Sequence, residues 1–258
     1  MKTQVNPAFS TISSFLDCFP DRFDKDGTTI YKVRNEIKVF ELNGWLLNVK
    51  SYQIPIFFNR IVYTFFRQSK ARRAFENAAK LIELGFDTPT PVACIEMLSK
   101  GLLERSFFVS LQCPYPHLLW ELANSFDPVC HKPIVEAFGQ YVGQMHEAGI
   151  CHKDLSPGNV LFESDATGIH FSLVDLNRMK FCRMDLRKGC KNLERLRGNE
   201  TFFRLLADSY ARSRHFDSKE CYRLIHDYQS RSVKKFARKS RHKKWRRRIK
   251  KWLSFSEK

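Results

Sequence analysis

The sequence predicts an α+β fold in which a small antiparallel sheet is followed by a mainly helical half. Three runs between Thr28 and Tyr52 (TTIYKV, EIKVFEL and WLLNVKSY) are rich in the β-branched and aromatic residues that favour strands. Beyond about residue 185 the pattern is helical and increasingly charged. The 258 residues include 43% hydrophobic ones, so the chain can bury a sizeable core.

Turn and cap residues place the elements of the β-rich half. Asn43 and Gly44 both tolerate positive φ, so they predict a tight hairpin between the second and third strands. Residues 69–85 predict a helix with Ser69 as N-cap and Gly85 at its end. Its apolar face is expected to contain Phe75, Ala78, Ala79 and Ile82. The runs VACIEML and RSFFVSLQC predict a further pair of strands.

The second half begins with a helix and a hairpin. IVEAFGQYVGQMHEAG predicts an amphipathic helix that ends at Gly149. A loop follows, then the short strand NVLF, a turn near residues 165–168 and the apolar strand HFSLVDL. The main functional motif lies in the loop between this helix and the hairpin.

Residues 152–162, HKDLSPGNVLF, have the pattern His-x-Asp-Leu-x-x-x-Asn found in the catalytic loop of protein-kinase-like enzymes. The spacing suits phosphoryl transfer, because the carboxylate of Asp154 must meet an acceptor hydroxyl while Asn159 reaches a metal on the phosphates. The alternative is that Asp154 is a turn residue and Asp175 a helix cap. The preceding helix and the following hairpin favour the catalytic interpretation.

Three more residues match kinase positions. Asp175 ends the strand SLVDLN, where kinases place the Asp that binds magnesium. Lys50 ends the third strand, where kinases place the lysine that binds the α- and β-phosphates. Its expected helix partner is Glu76, with Glu83 as the alternative. We therefore predict ATP and Mg²⁺ as cofactors, with Asp154 catalytic, Lys50 and Glu76 on the nucleotide side, and Asn159 and Asp175 as metal ligands.

The chain resembles the lipopolysaccharide core kinases that phosphorylate Kdo or heptose. The resemblance spans roughly residues 28–215 and rests on SKARRAFENAAKLIELGFDTPTPVA, HKDLSPGNVLF and VDLNRM. It implies ATP-dependent phosphorylation of a lipid-linked sugar hydroxyl at the cytoplasmic face of the inner membrane. It also implies a protein-kinase-like bilobal fold. We divide the chain into an N-terminal extension (1–27), an N-lobe (28–112), a reduced C-lobe (113–230) and a basic amphipathic tail (231–258).

Departures from ordinary protein kinases favour a sugar acceptor. Lys153 replaces the usual Arg of His-Arg-Asp, Ser156 stands where Ser/Thr kinases carry Lys, and residues 175–177 read Asp-Leu-Asn instead of Asp-Phe-Gly. No Ala-Pro-Glu follows. The turn near Arg34 and Asn35 lacks the glycines that usually approach the phosphates. Two alternatives stay open. The chain could be an atypical protein Ser/Thr kinase, or, because the glycines are missing, a catalytically weak scaffold on membrane or RNA.

The positive charge is concentrated at the C-terminus. Residues 231–258 hold 14 of the 44 Lys and Arg but one of the 27 Asp and Glu, so this tail carries +13 of the net +17. In a helix, Trp245, Ile249, Trp252 and Leu253 would form an apolar stripe, which is typical of helices on anionic membranes. Nucleic-acid binding and a solvated tail are the alternatives. Without a signal-peptide pattern, we expect a cytoplasmic protein bound peripherally to the membrane.

Overall fold

The computed structural model describes residues 1–124 and 126–255, except for the side chains of residues 124, 242–244 and 246–255. The chain divides into two compact units. The first contains Met1–Leu118, His152–Asp154 and Asn159–Lys180, and the second contains Leu119–Cys151, Leu155–Gly158 and Phe181–Lys258. The predicted mixed fold with an antiparallel sheet is confirmed. The bilobal arrangement stays a prediction.

A six-stranded antiparallel sheet forms most of the first unit, with the strand order β1-β5-β6-β4-β3-β2. Asn43 and Gly44 have φ values of 50° and 78° in the turn between β3 and β4, as the hairpin prediction requires. The predicted strands are confirmed as elements of this sheet. The strands are β1 (Lys2–Val5), β2 (Thr28–Lys32), β3 (Glu36–Leu42), β4 (Trp45–Tyr52), β5 (Pro91–Ser99) and β6 (Leu102–Leu111).

Residues 1–27 are part of the sheet unit, whereas the sequence suggested a separate extension. Strand β1 pairs antiparallel with β5, from Lys2 opposite Glu96 to Val5 opposite Ala93. A 3-10 helix (Pro7–Ile12), α1 (Ser13–Asp17) and α2 (Phe19–Lys25) follow. They cover one face of the sheet with a buried apolar cluster, whose members from this segment are Phe9, Ile12, Leu16, Phe19 and Phe23. The segment thus completes the core.

The opposite face of the sheet packs against α4 (Lys70–Glu83). Ser69 is its N-cap and accepts a hydrogen bond from the Arg72 N–H, as predicted. The face that is buried differs from the expected one, because Ala79 and Ile82 are exposed. The buried residues of α4 are Ala71, Ala74, Phe75, Ala78 and Leu81. Before α4, the chain forms α3 (Phe57–Ile61) and a π-helical turn (Val62–Phe66).

The hairpin that follows the motif loop also belongs to the first unit. It pairs β9 (Val160–Asp165) with β10 (Gly168–Leu173), and β7 (His117–Leu118) pairs with β9. A 3-10 turn covers Leu176–Arg178. The short strands β8 (Ile150–His152) and β11 (Met179–Phe181) form a two-stranded sheet. The predicted hairpin is confirmed, although the sequence suggested that it lies in the C-lobe.

The second unit is helical. It contains α5 (Trp120–Asn124), α6 (Pro128–Glu147), α7 (Leu186–Asn192), α8 (Glu200–Arg214) and α9 (Ser218–Phe255). Helices α6 and α8 approach closely at Gly139 and Gly143, where an added Cβ would lie 2.8 Å from the Ser209 Cβ and 2.4 Å from the Ser213 Oγ. The predicted Gly149 end of α6 is confirmed by a φ of 74°.

Residues 231–255 of the basic tail belong to α9, which continues without a break from Ser218. Trp245 is exposed. The other three members of the predicted apolar stripe, Ile249, Trp252 and Leu253, lie outside the described side chains. Within the described part of the chain, every helix is too short or too polar to cross a bilayer.

Candidate active site

Lys50 and Asp175 form the centre of the candidate site. Strand β4 holds Lys50 in an interior position of the sheet, opposite Ile37 on β3 and Phe108 on β6. Lys50 Nζ lies 2.5 Å from Asp175 Oδ1, and the two side chains are 14% and 27% exposed. The structure thus brings together a predicted phosphate ligand and a predicted metal ligand.

Asp175 has an unusual backbone conformation. Its φ of 60° and ψ of 48° place it in the left-handed region, which is uncommon for a non-glycine residue and is found most often at functional sites. The Asn177 Nδ2 donates to Asp175 Oδ1 over 2.6 Å. Burial by itself raises the pKa of Asp175, but the Lys50 ammonium and the hydrogen bonds from Lys50 and Asn177 outweigh it and lower the pKa below its ordinary value. The carboxylate is therefore charged at neutral pH.

Helix α4 holds the turn after Asp175 through two side chains that are one helical turn apart. An Arg73 guanidinium N–H donates to the Asn177 carbonyl over 2.8 Å. The Asn77 amide donates to the Leu176 carbonyl over 2.7 Å. Because both acceptors are main-chain atoms of the Asp175 turn, the helix fixes the position of the carboxylate.

Glu76 lies between these two residues on α4 but faces a different partner from the expected one. Its Oε1 accepts a hydrogen bond from Gln68 Nε2 over 2.9 Å. Among the described residues, no ion pair joins Glu76 or Glu83 to Lys50, whose ammonium binds Asp175 instead. The expected Lys50–Glu76 pair is therefore not present in this structure, in which Lys50 binds Asp175 and Glu76 binds Gln68. A nucleotide-binding role for Glu76 stays a prediction.

His152 is buried and holds the loop of residues 152–162 through two hydrogen bonds. Its side chain is fully buried, its Nδ1 accepts the Asp154 main-chain N–H over 3.2 Å, and its Nε2 lies 3.0 Å from the Val174 carbonyl. Because Nδ1 accepts, the ring proton must be on Nε2, which donates to Val174. Burial lowers the pKa of His152, so the ring is neutral. This histidine ties the chain before Asp154 to the chain before Asp175.

Asp154 and Asn159 lie at the two ends of the loop. Asp154 Oδ2 is 3.6 Å from a guanidinium nitrogen of Arg178, and its side chain is partly exposed. The Asn159 Nδ2 donates to the Asp154 carbonyl over 2.9 Å. Since this bond engages the amide nitrogen, the amide oxygen of Asn159 is the atom left for a metal. The Val174 N–H donates to the Asn159 carbonyl over 3.0 Å, which links this residue to the strand that leads to Asp175.

The turn between β2 and β3 has no glycine, but positively charged side chains lie near it. The turn between β2 and β3 contains Arg34 and Asn35, and the Asn35 Oδ1 accepts the Gln53 N–H over 3.2 Å. Burial lowers the pKa of Lys70 at the start of α4, and the positive charges of Arg34 and Arg73 lower it further. Arg34, Lys70 and Arg73 are thus close enough for their charges to interact, and cations so placed suit phosphate groups.

The donor set fits a magnesium nucleotide. Mg²⁺ prefers one or two carboxylates together with substrate phosphates over a cage made entirely of protein ligands. Asp175 offers a charged carboxylate, Asn159 offers an amide oxygen, and Lys50 is a cation at the same place. Within the described residues, no three His, Cys, Asp or Glu side chains form a group that could hold a metal by themselves.

Comparison with protein families provides the identity. The family model described as "Lipopolysaccharide kinase (Kdo/WaaP) family" matches residues 28–228. The chain belongs to this family. Its members are kinases, so the chain is a phosphotransferase of lipopolysaccharide biosynthesis, and a kinase family implies the use of ATP. The resemblance inferred from the motifs is confirmed.

A solved structure supports the fold. The chain is similar to the protein in the structure titled "WaaP in complex with acyl carrier protein", with a TM-score of 0.63 and 20% sequence identity. The alignment covers 91% of this chain and 98% of that chain. At this identity the likeness concerns the fold. A search of the curated proteins gave no significant match.

Five residues of the site, Lys70 among them, were not predicted from the sequence. Asn177 and Arg178 follow Asp175 directly in VDLNRM, so their closeness to the site could have been inferred from position alone. Arg73 and Asn77 flank Glu76 on α4, where an arginine and an asparagine look like ordinary surface residues. Their contacts with the carbonyls of residues 176 and 177 depend on how α4 packs, which no local pattern shows.

Proposed function

We propose that this kinase transfers the γ-phosphate of ATP to a hydroxyl of Kdo or heptose in the lipopolysaccharide inner core. The observation that carries the proposal is the Lys50–Asp175 ion pair in the same unit as Asp154 and Asn159, in a chain of the lipopolysaccharide kinase family. The four side chains correspond to the parts that phosphoryl transfer requires.

Asp154 is the residue that meets the acceptor. Its carboxylate is partly exposed, and its main chain is fixed by His152 and Asn159. In the proposed step the acceptor oxygen forms a bond to the γ-phosphorus while the bond to the leaving ADP oxygen breaks. Asp154 orients the hydroxyl and accepts its proton. Arg178, 3.6 Å from Asp154, is placed to stabilise the negative charge of that carboxylate.

Asn159 and Asp175 would hold Mg²⁺, and Lys50 would hold the α- and β-phosphates. The metal neutralises charge on the phosphate oxygens during transfer. The lowered pKa of Asp175 keeps its carboxylate ionised for this purpose. Arg73 and Asn77 keep the Asp175 turn in position, and Arg34 and Lys70 supply positive charge where glycine amides are missing.

We propose a sugar acceptor in preference to a protein acceptor. The family is one of lipopolysaccharide kinases, and Lys153 and Ser156 both depart from the residues that protein Ser/Thr kinases carry there. The lipid-linked acceptor would place the enzyme at the cytoplasmic face of the inner membrane. The tail of residues 231–258, with its net charge of +13, is suited to an anionic membrane surface, and nucleic acid is the alternative partner.

The test is a competition between acceptors. The purified chain is incubated with γ-labelled ATP and Mg²⁺, and either lipid A carrying Kdo or a generic protein substrate is added. We expect label in the glycolipid and none above background in the protein. Labelling of protein alone would reject the sugar acceptor and support the atypical protein kinase. Absence of turnover on both acceptors, with Mg²⁺ and ATP present, would support the scaffold alternative.

A further inference from the structure

The segment between β4 and α4 exposes an unusual amount of apolar surface. Seven of its large apolar side chains are between 37% and 80% exposed. We call these side chains, together with Arg67, the aromatic surface. They are Ile54, Ile56, Phe57, Phe58, Val62, Phe65 and Phe66. With about 200 Å² for each phenylalanine, the four rings together expose on the order of 500 Å².

Two polar side chains of the same segment bond to strand β6. The Arg60 Nε donates to the Leu103 carbonyl over 2.9 Å. The Thr64 hydroxyl donates to the Arg60 carbonyl over 2.7 Å and accepts the Leu103 N–H over 2.9 Å. Arg60 and Thr64 thus attach α3 and the π-helical turn to the sheet at β6. The phenylalanines of α3 and the π-helical turn stay exposed.

The segment that carries the aromatic surface has basic residues and no acidic ones. Residues 53–69 contain Arg60 and Arg67 and no Asp or Glu. Arg67 is exposed next to Phe66, and Arg34 is exposed next to Val33, which is itself 81% exposed. The Gln53 N–H bonds to Asn35, so the β2–β3 turn lies beside the start of the segment.

We propose that the aromatic surface inserts into the interfacial layer of an anionic lipid bilayer. Exposed phenylalanines flanked by cations suit the boundary between acyl chains and negatively charged headgroups, where burial of apolar area and electrostatic attraction act together. A bilayer fits better than a folded protein because it can accept several protruding rings without a matching pocket. The inference concerns membrane docking and does not depend on the phosphotransfer chemistry.

The aromatic surface and the basic tail differ in how their binding responds to salt. Attraction between the Lys and Arg side chains of the tail and anionic lipid is electrostatic, and at 1 M salt the Debye length falls to about 3 Å. Burial of phenylalanine is not screened by salt. The aromatic surface should therefore supply membrane binding that persists at high salt, in addition to any from the predicted apolar stripe of the tail.

The experiment measures co-sedimentation of the full chain with phosphatidylglycerol–phosphatidylethanolamine vesicles at 0.1 M and 1 M salt, without ATP or acceptor. The test variant carries Phe58→Ser, Phe65→Ser and Phe66→Ser. The matched control carries Trp120→Ser and Val129→Ser, which are 48% and 85% exposed on the helical unit. We expect the triple variant to partition at least about tenfold more weakly than the wild type at 1 M salt, and the control to be unchanged. Circular dichroism checks folding independently of kinase activity.

A second readout places the residues in the bilayer. Phe66→Trp should gain fluorescence quenching by brominated lipids over the wild type, while Val129→Trp should gain none. Equal high-salt binding of the wild type and the folded triple variant would overturn the proposal. So would a wild-type chain that binds an acidic protein but fails to bind these vesicles. Because no nucleotide is present, a negative result here leaves the kinase assay as a separate test of the proposed function.

Discussion

Lys50 and Asp175 are 125 residues apart in the sequence and form a part-buried ion pair with 2.5 Å between Lys50 Nζ and Asp175 Oδ1. The pair connects strand β4 to the turn that follows β10. The Asn177 amide holds the same carboxylate oxygen, and Asn77 holds the turn from α4. The phosphate side and the metal side of the proposed site are thus fixed to each other.

Replacing the lysine should weaken nucleotide binding. Lys50→Met removes a cation from the phosphates and leaves the Asp175 carboxylate without its ion-pair partner. Charge-assisted hydrogen bonds contribute about 1.5–3 kcal/mol, so we expect the affinity for MgATP to fall about 10- to 100-fold. Isothermal titration calorimetry measures the affinity for MgATP. Lys25→Met, at an exposed position at the end of α2, is the control and should bind as the wild type does. Equal affinity of Lys50→Met and wild type would remove Lys50 from the site.

The contact between Asn77 and the Leu176 carbonyl should matter for metal binding, although Asn77 is not itself a ligand. In Asn77→Ala the Asp175 turn loses one hydrogen bond, which contributes about 1 kcal/mol. We expect the Mg²⁺ concentration for half-maximal activity to rise about fivefold with a smaller change in kcat. Ala79→Ser, on the exposed face of the same helix, controls for changes in α4. A lower thermal midpoint without any change in Mg²⁺ dependence would show that Asn77 is only structural.

The role of Glu76 can be separated from that of Glu83. If Glu76 leaves Gln68 and pairs with Lys50 when nucleotide binds, Glu76→Gln should raise the KM for ATP about tenfold, the effect expected for loss of a charge-assisted contact. Glu83→Gln, at an exposed position on the same helix, should have no effect. A rise with Glu83→Gln alone would identify the alternative partner, and no rise with either would mean that Lys50 needs neither glutamate.

Buried His146 should make the chain sensitive to acid. Its Nδ1 lies 2.9 Å from the Tyr210 hydroxyl and its Nε2 lies 3.0 Å from Asn192 Oδ1. Burial lowers the pKa of His146 to about 4, while an unfolded histidine has a pKa of about 6.5. Between these values the unfolded chain binds a proton that the folded chain does not. Stability therefore falls as the pH falls, by up to about 1.4 kcal/mol per pH unit from this site.

Urea unfolding at pH 7, 6 and 5 measures this dependence. His146→Gln should have a flatter profile than the wild type, even if it is less stable throughout. His226→Gln, at an exposed position on α9, should keep the wild-type slope. A His146→Gln profile as steep as the wild type would assign the acid sensitivity to other groups.

Local patterns were enough to choose most residues of the candidate site. Asp154 and Asn159 were chosen from a fixed spacing within one loop, and Asp175 because it ends an apolar strand. Their roles stay predictions. The Asn43–Gly44 turn and the Ser69 cap were predictable for a similar reason, since each depends on a few neighbouring residues. Contacts between distant segments were harder to predict.

Residues 1–27 illustrate the difficulty. Nothing in the short run of β1 indicates that Lys2 pairs with Glu96, because such pairing depends on the whole sheet.

The rotation of α4 about its own axis is a second feature that the sequence did not predict. The expected apolar face included Ala79 and Ile82, but packing buries the face that contains Ala71 and Ala74. With that rotation, Arg73 and Asn77 contact the Asp175 turn and Glu76 bonds to Gln68.

Phosphorylation of the sugar is tested most directly by mass spectrometry of the glycolipid after incubation with MgATP. Lipid A carrying the Kdo and heptose of the inner core is treated in parallel with the wild type and with Asp154→Ala. We predict one added phosphate on a sugar hydroxyl with the wild type and a loss of product of at least about a hundredfold with Asp154→Ala, as expected for removal of a catalytic base. An unmodified glycolipid after incubation with the active wild type would contradict the sugar acceptor. Equal product from Asp154→Ala and the wild type would contradict the catalytic role of Asp154.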